Sequence, residues 1–555
     1  MVPSFFNINT MKKFTLLAIL ILLLSCSKDD KKPNNNGSDS NFTYVMKSWD
    51  GQKRADIFYQ IFVRSFADSN GDGIGDIKGI TAKLDYLHDL GVSGIWLTPI
   101  HPSPSYHGYD VEDYRAIDPV YGTMADFEML ISKANALNIK VVLDLVINHT
   151  SKTHPWFTSA TSSIESPYRD WFLFAPSNDV AGWISSGKVP MTKSYNPYHW
   201  HSVSSGTTSY KYMGMFSDWM PEINYGEVST SHNSLPFKEM VEISKFWLSK
   251  GVAGFRLDAV KHIYQDENSN ENPLFLKKFY EAVSQNKSDL YMIGENLTGD
   301  YNLVAPYYSG LPALFNFDAW YKLIYVLENS HAKWYPKDIM DMEQRFKSVR
   351  SNAINATKLS NHDEDRTFSR LGNNMQRAKM AASILLTVSG SPYLYYGEEI
   401  GMRGMKTTGD INVREPFLWD AKANDTYRTS WFNPVNSVEP IVTPLNAQKT
   451  DSLSIFNHYK SLIKLRNTYE SLSKGRTIIP ENFDNYSKNF MAFYREHNNE
   501  KLFVLHNVSD GVATFIYDQP FKNPIIRFGG VLLSRINDRT ITITMPPYSS
   551  IILEI

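Results

Sequence analysis

One recurrent feature limits what this chain can fold into: short apolar runs that each release polar side chains at their C-terminal end. Gly254–His262, GFRLDAVKH, is the sharpest case. Val252, Ala253, Phe255 and Leu257 surround Arg256 and Asp258, which stand two apart and so share one face of a strand. Val141–His149 (VVLDLVINH) ends in Asp144, Asn148 and His149, and Tyr291–Asn296 (YMIGEN) delivers Glu295 after a glycine. Lys358–Arg366 (KLSNHDEDR) places His362 and Asp363 just past a strand. Parallel barrels gather their active-site residues at that end of their strands. An arginine beside a carboxylate keeps it ionised, as a nucleophile requires; an ordinary Arg–Asp ion pair would look the same.

Strand patterns recur at Ala55–Phe66, Gly94–Pro99, Lys140–Asn148, Leu311–Phe317, Ala356–Asn361 and Tyr393–Gly397, besides the runs before Asp258 and Glu295. Helical spacing fills the intervals: Ile80–Leu90 closed by Gly91, Asp126–Leu137, Leu235–Lys250, Pro273–Ser284 and Ser452–Leu472. The alternation predicts an α/β fold, a (β/α)₈ TIM barrel over 49–149 and 227–474. Thr150–Tyr225 is too long for a structureless loop, so 150–226 is expected to be a small domain inserted after the third strand. Beyond residue 474 the period changes to two, at Phe490–Tyr494, Lys501–His506, Val512–Tyr517 and Arg539–Met545. That predicts a C-terminal antiparallel β-sandwich over 475–555.

With 555 residues, 42% of them hydrophobic, the chain can bury more than one core. Its net charge of −2 gives no electrostatic case for nucleic acid. The single cysteine, Cys26, excludes an intrachain disulfide. Lys12-Lys13 and the apolar Phe14–Leu24 precede it, and that stretch is short for a membrane span. Residues 1–26 resemble a bacterial lipoprotein signal with Cys26 as the lipidated mature N-terminus and Met11 as a candidate start; a plain cleavable signal is the other reading. The Ser27–Ser40 stretch, SKDDKKPNNNGSDS, has no apolar residue, so 27–48 is expected to be a flexible tether. Its Ser-Lys-Asp-Asp start resembles an acidic surface-export signal, with a solvated linker as the alternative.

Oxygen-bearing side chains alternate with glycines from Asp68 to Asp76 (DSNGDGIGD). That is a calcium-loop pattern, with Asp68, Asn70, Asp72, Ile74 and Asp76 as ligands; a metal-free Gly/Asp turn is the competing reading.

Together the four strand ends resemble the signature regions of the α-amylase family of glycoside hydrolases, family 13, over a span from about Ala55 to the C-terminus. The resemblance implies Asp258 as nucleophile, Glu295 as acid/base and Asp363 as third carboxylate. It implies substrate-binding roles for His107, Tyr109, Asp110, His149, Arg256, Lys261, His262, His362 and Arg366. Tyr109, in SYHGYD, takes the place of the tyrosine that stacks under the sugar. DWMPEINY resembles the segment that closes the family's inserted domain, and it implies a second calcium at Asn148, Glu222 and the backbone of His262. Glu222 departs from the aspartate usual there. The SusG-type amylases, lipid-anchored starch hydrolases of outer-membrane glycan-uptake systems, are the most similar group, through KRADI, SYHGYDV, LDAVKHIY and TKLSNHDEDRT. This chain has no room for the starch-binding module inserted in SusG itself. The expected activity is retaining endo-hydrolysis of α-1,4 bonds in starch or maltodextrin at the cell surface. Ala259-Val260-Lys261-His262 after the nucleophile favours it over oligo-1,6-glucosidases, which usually carry valine there. An α-glucosidase, a branch-point hydrolase or a transglycosylase of the family stays open, and a non-catalytic starch-binding protein would have lost a carboxylate.

Overall fold

The computed structural model describes residues 42–45, 47, 50, 56–187, 197–264, 270–285, 287–520, 524–537 and 539–555. The expected signal, Cys26 and most of the expected tether lie outside them. Eight parallel strands close into a barrel: β1 (Phe58–Ile61), β2 (Gly94–Leu97), β3 (Lys140–Leu145), β4 (Gly254–Leu257), β5 (Tyr291–Gly294), β6 (Ala313–Phe315), β7 (Ile354–Lys358) and β8 (Ser391–Tyr395). Each pairs with its sequence neighbour, and β8 returns to β1. Helices α1 (Ile77–Leu90), α2 (Met124–Ala136), α3 (Leu235–Ser249), α4 (Glu271–Ser284), α5 (Phe317–Asn329), α6 (Tyr335–Val349), α7 (Met375–Thr387) and α8 (Ile455–Thr468) lie in the connections. The strands are shorter than their apolar runs. Val63–Phe66, expected as the end of the first strand, is a helical turn.

Because side chains alternate along each strand, one set from every strand points into the barrel. Its lower layers are apolar: Phe58, Trp96, Val142, Tyr291, Ile293, Phe315 and Tyr393 form one buried cluster, with Phe58 stacked on both Tyr291 and Tyr393 at 4.8 Å. Gly254 is required at this level, since a Cβ there would stand 1.6 Å from the Tyr291 carbonyl oxygen. One layer up, register pairs Asp144 with Arg256 across β3 and β4, and the chemistry becomes charged.

The segment after β3 holds, among its described residues, a three-stranded antiparallel sheet (Phe174–Pro176, Tyr210–Met213, Trp200–Ser202) and helix Pro155–Ser162. The C-terminal region holds β9 (Arg476–Ile478), β10 (Phe490–His497), β11 (Glu500–Asn507), β12 (Ala513–Asp518), β13 (Ile525–Phe528), β14 (Leu532–Arg535), β15 (Thr540–Met545) and β16 (Ser549–Glu554). Two sheets enclose a separate core of Phe503, Leu505, Phe515, Ile543 and Ile551 among others. Thr43–Tyr44, assigned to the tether on composition, instead pair in parallel with Ile525–Ile526 at the edge of that domain.

Just past β8, buried Glu398 accepts hydrogen bonds from Tyr459 Oη (2.9 Å), Ser360 Oγ (3.1 Å) and Thr367 Oγ1 (3.3 Å). Burial lifts its carboxyl to about 7, against those hydroxyls. The folded protein therefore holds this proton more tightly than the unfolded chain. The stabilisation is complete below the ordinary glutamate range and is lost as pH rises through about 7. The shift corresponds to about 3 kcal/mol. Glu398→Gln is expected to flatten the fall in melting temperature between about pH 5 and 8. Parallel Tm–pH profiles for the two proteins would refute it.

Candidate active site

Arg256 is the centre of the charged layer, fully buried on β4. Its Nη1 donates to Asp258 Oδ1 at 2.7 Å and to Asp144 Oδ1 at 2.8 Å, while Nη2 lies 2.7 Å from Glu295 Oε2. The guanidinium also rests over the Trp96 ring, 5.0 Å from its centroid. One cation thus reaches three carboxylates from three adjacent strand ends. Burial raises the Asp258 and Glu295 carboxyls above their ordinary values, with Arg256 opposing. Asp144 is lifted to about 7 for the same reason. Arg256 therefore lowers the Asp258 value, as the sequence suggested, but burial outweighs it.

Directly after Asp258 the chain turns through Ala259 at φ 44°, a left-handed conformation that a non-glycine residue rarely adopts. This turn joins β4 to β5: Val260 N donates to Glu295 O at 3.1 Å, and Ala259 N points at Glu295 Oε2 at 3.4 Å. Lys261 Nζ then reaches Leu297 O at 2.9 Å, and Asn272 holds the Lys261 carbonyl.

His362, past β7, is fully buried. Gln60 Nε2 donates to its Nδ1 at 2.7 Å, which leaves the proton on Nε2, between Tyr109 Oη (2.6 Å) and Asp363 Oδ2 (3.0 Å). Tyr109 in turn donates to Asp144 Oδ2 at 2.9 Å and stacks on His362, with planes 5° apart. The Asp363 side chain is 36% exposed and faces outward from this network. Burial alone would raise its carboxyl, but His362 and Arg414 outweigh burial and hold it well below the usual carboxylate range. His149 Nε2 donates to Tyr109 O at 3.2 Å, and burial pushes its ring down to about 4, so it is neutral. His107 and Asp110 flank Tyr109 on the same loop, 3.8 Å apart. His262 meets the half-exposed Phe216 of the inserted domain edge to face.

Asp258, Glu295, Asp363, Arg256, Tyr109, His149 and His362 are therefore brought together. Arg366 is not. Its Nε and Nη1 donate to the carbonyls of Val413 (3.0 Å) and Tyr396 (2.7 Å), and its guanidinium lies over Tyr395 and Tyr396. It is buried and fixes the loop after β8, which corrects the substrate-binding role expected for it. The arginine from this region that does reach the carboxylates is Arg414. Nη2 binds Asp363 Oδ1 at 2.8 Å, Nη1 donates to Tyr106 Oη at 2.9 Å, and Nε donates to His362 O at 2.9 Å. It lies in the irregular loop after β8, directly behind a short 3₁₀ turn, so periodicity gave no signal.

At the calcium-type loop, Asp68 accepts from Asn70, Gly71 and Gly73 N, and Asn70 and Asp72 accept from the main chain two residues on. Asp76 is committed to capping α1 through Gly79 N and to Ser69. Among the described residues no cluster of three or more His, Cys, Asp or Glu side chains forms a metal cage. The hard oxygens of Asp68, Asn70 and Asp72 still fit calcium chemistry. At the second position the fit is specific. Asn148 Oδ1 is buried without a hydrogen-bond partner, and the adjacent Glu222 carboxyl is buried and pushed well above its ordinary range by that burial. An orphaned oxygen beside a buried carboxyl is a site that a cation would complete.

Two cavities adjoin this centre. One of about 590 Å³, lined by Tyr321, Asp363, Glu364 and Lys406 among others, opens at the ends of β6 to β8. The other, about 300 Å³, lies between the loop after β2 and the inserted domain after β3, with Ser105, His107, Asp110 and Trp219 in its wall. In the eight-strand ring β7 and β3 are four places apart, so the two openings lie across the mouth from each other.

Comparison with known proteins agrees with this geometry. Residues 60–475 match the family described as "Alpha amylase, catalytic domain", and residues 490–552 match "Alpha-amylase SusG C-terminal domain". Alpha-amylase SusG of Bacteroides thetaiotaomicron is 36% identical, over 88% of this chain and 91% of its own. An oligo-1,6-glucosidase of Heyndrickxia coagulans is 32% identical, over 84% of this chain and 93% of its own. Among solved structures, the α-amylase from H. orenii superposes with a TM-score of 0.79 at 35% identity, covering 91% of this chain and all of that one. With its carboxylates just past the ends of β4, β5 and β7 of a closed barrel and a matching C-terminal domain, the chain belongs to the α-amylase family of glycoside hydrolases.

Proposed function

We propose that this enzyme is a retaining, endo-acting α-amylase that cuts α-1,4-glucosidic bonds within starch and maltodextrins. The observation that supports the endo reading is the pair of separate openings at the barrel mouth, one beside Asp363 and one between the loop after β2 and the inserted domain; a bound polymer would run between them. Retention needs two carboxyl groups about 5–5.5 Å apart. Nη1 and Nη2 of a single guanidinium reach Asp258 and Glu295, which supports such a short span.

In this mechanism Asp258 attacks the anomeric carbon while Glu295, whose carboxyl burial raises above its ordinary value, protonates the leaving oxygen. Glu295 then takes a proton from water, which opens the glycosyl ester with net retention. Asp363, held ionised by His362 and Arg414, binds sugar hydroxyls and stabilises the positive charge developing on the ring. His149 and Tyr109 position the reacting sugar, and Lys261 and His262 meet the leaving-group side.

The product profile tests this reading. On amylose, iodine colour should collapse before much reducing sugar appears, with mixed oligosaccharides first. Glucose as the sole early product, with isomaltose-type substrates cleaved best, would replace it by the activity named for the oligo-1,6-glucosidase relative.

Calcium belongs to the same reading. Asn148 and Glu222 come from the barrel and the inserted domain, and a bound calcium would supply a charge-balancing cross-link between them. Asp68, Asn70 and Asp72 would hold another. Chelator is expected to lower the melting temperature, and Glu222→Gln and Asp72→Ala each to shrink that effect. A Tm indifferent to all three treatments would rule the ion out.

The anchor is proposed at Cys26, with the chain working at the outer membrane beside a glycan-uptake complex. Among the described residues no helix is long and apolar enough to cross a membrane. Cys26→Ala should move the enzyme from the membrane to the soluble fraction; retention in the membrane would discard the lipid.

A further inference from the structure

The chain leaves β8 through Gly397, whose φ of 78° turns it sharply, and presents two consecutive buried glutamates to different neighbours. Glu399 Oε1 accepts from Tyr59 Oη on β1 (2.8 Å) and from Tyr86 Oη on α1 (2.5 Å), and Gly397 N donates to the same Tyr59 oxygen at 3.2 Å. Those bonds fix the turn to the barrel wall. Glu398 instead meets the loop that follows β7. Its Oε2 takes the hydroxyls of both Ser360 and Thr367, and Thr367 Oγ1 also lies 3.3 Å from Ser360 Oγ. One carboxyl oxygen thus joins the two ends of 361–366, the excursion that carries His362 and Asp363.

A carboxyl group is a poor filler for this space. Its partners are hydroxyls, the third being Tyr459 Oη on α8. Burying a carboxyl on hydroxyls alone costs stability that an apolar side chain of similar size would not. What it supplies is direction, because its acceptor oxygens set how far apart the ends of the loop stand. Packing does not set that spacing: Ser360, Arg366, Thr367 and Glu398 share the wall of a void of about 10 Å³. Beyond these ends, Arg414 reaches His362 O and Asp363 Oδ1, and Arg366 N donates to Gly404 O.

We propose that Glu398 is a positioning residue for the hydrolytic reaction. By clamping Ser360 to Thr367 it holds Asp363 in the pose that meets the positive charge developing on the sugar ring. The inference rests on the reading of Asp363 as the third carboxylate of the centre.

The test is kinetic, on starch and well below the melting temperature of each variant. Glu398→Ala should lower kcat about tenfold or more with KM little changed. Glu398→Gln keeps one acceptor oxygen at the same reach and should restore most of that rate. Ser360→Ala and Thr367→Val each remove one loop hydroxyl and should reproduce part of the loss. Tyr459→Phe removes the hydroxyl outside the loop and should lower the melting temperature alone. In an Asp363→Asn background, Glu398→Ala should cost less than about twofold further, since the group it positions has lost its charge. Should Glu398→Ala fail to fold, Ser360→Ala takes its place in that cycle. Losses that multiply in full in the double variant, or an unchanged kcat in all the single loop and Glu398 variants, would overturn the clamp while leaving the centre intact. Full starch hydrolysis by Asp363→Asn alone would overturn the reading of the centre and the clamp with it.

Discussion

Asp258→Asn is expected to lower starch turnover by about 10⁴-fold or more while the fold persists. The amide keeps the size of the side chain but cannot form the glycosyl ester. Arg256 retains Asp144 and Glu295 as partners, so the buried cation is not stranded. Glu295→Gln should cost about 10²–10⁴-fold on starch, the usual worth of a positioned acid. The two variants separate on α-maltosyl fluoride, whose leaving group needs no proton. Its first step should recover in Glu295→Gln and stay dead in Asp258→Asn. Substantial starch hydrolysis by Asp258→Asn at an unaltered melting temperature would place the nucleophile elsewhere.

The largest effect on stability is expected from Arg256→Leu. Removing the one cation that reaches Asp144, Asp258 and Glu295 leaves three buried carboxyl groups facing one another, a loss of about 3–5 kcal/mol. Asp144 is at about 7 even with the arginine in place, because burial already outweighs it. Without it the folded-state values rise further above the unfolded ones, and the native state binds more protons. The deficit should therefore grow as pH rises through that range and shrink toward about pH 5. Denaturant midpoints at the two pH values measure it. An equal deficit at both would show that lost packing over Trp96, rather than charge, is responsible.

The charged layer was legible in the sequence because a parallel barrel converts strand ends into neighbours. Asp258, Glu295 and Asp363 each follow an apolar run, and the closed ring supplies the rest. Arg414 was not legible. It lies in a loop of short 3₁₀ turns, and its partner Asp363 is 51 residues away. Arg366 shows the opposite failure. It sits in a polar cluster beside His362, but the backbone turn sends its side chain into the loop after β8. In the C-terminal domain β16 escaped notice because Ile551, Ile552 and Leu553 are all buried, on both faces, and leave no alternation to read. The pairing of Thr43–Tyr44 with Ile525–Ile526 joins residues about 480 positions apart, and no local pattern encodes it.

That short N-terminal strand also decides where mechanical load enters the enzyme. Tension applied ahead of residue 43 first meets two paired residues, the Val45 N to Ile526 O bond and the Arg527 guanidinium on Val45 O. Arg527 also pairs with Glu554 on β16, so the force passes into the C-terminal sheet before it can reach the barrel. Were the chain tethered ahead of residue 43, as proposed, this sheet edge would be the first contact to meet the pull of a partly engaged polysaccharide.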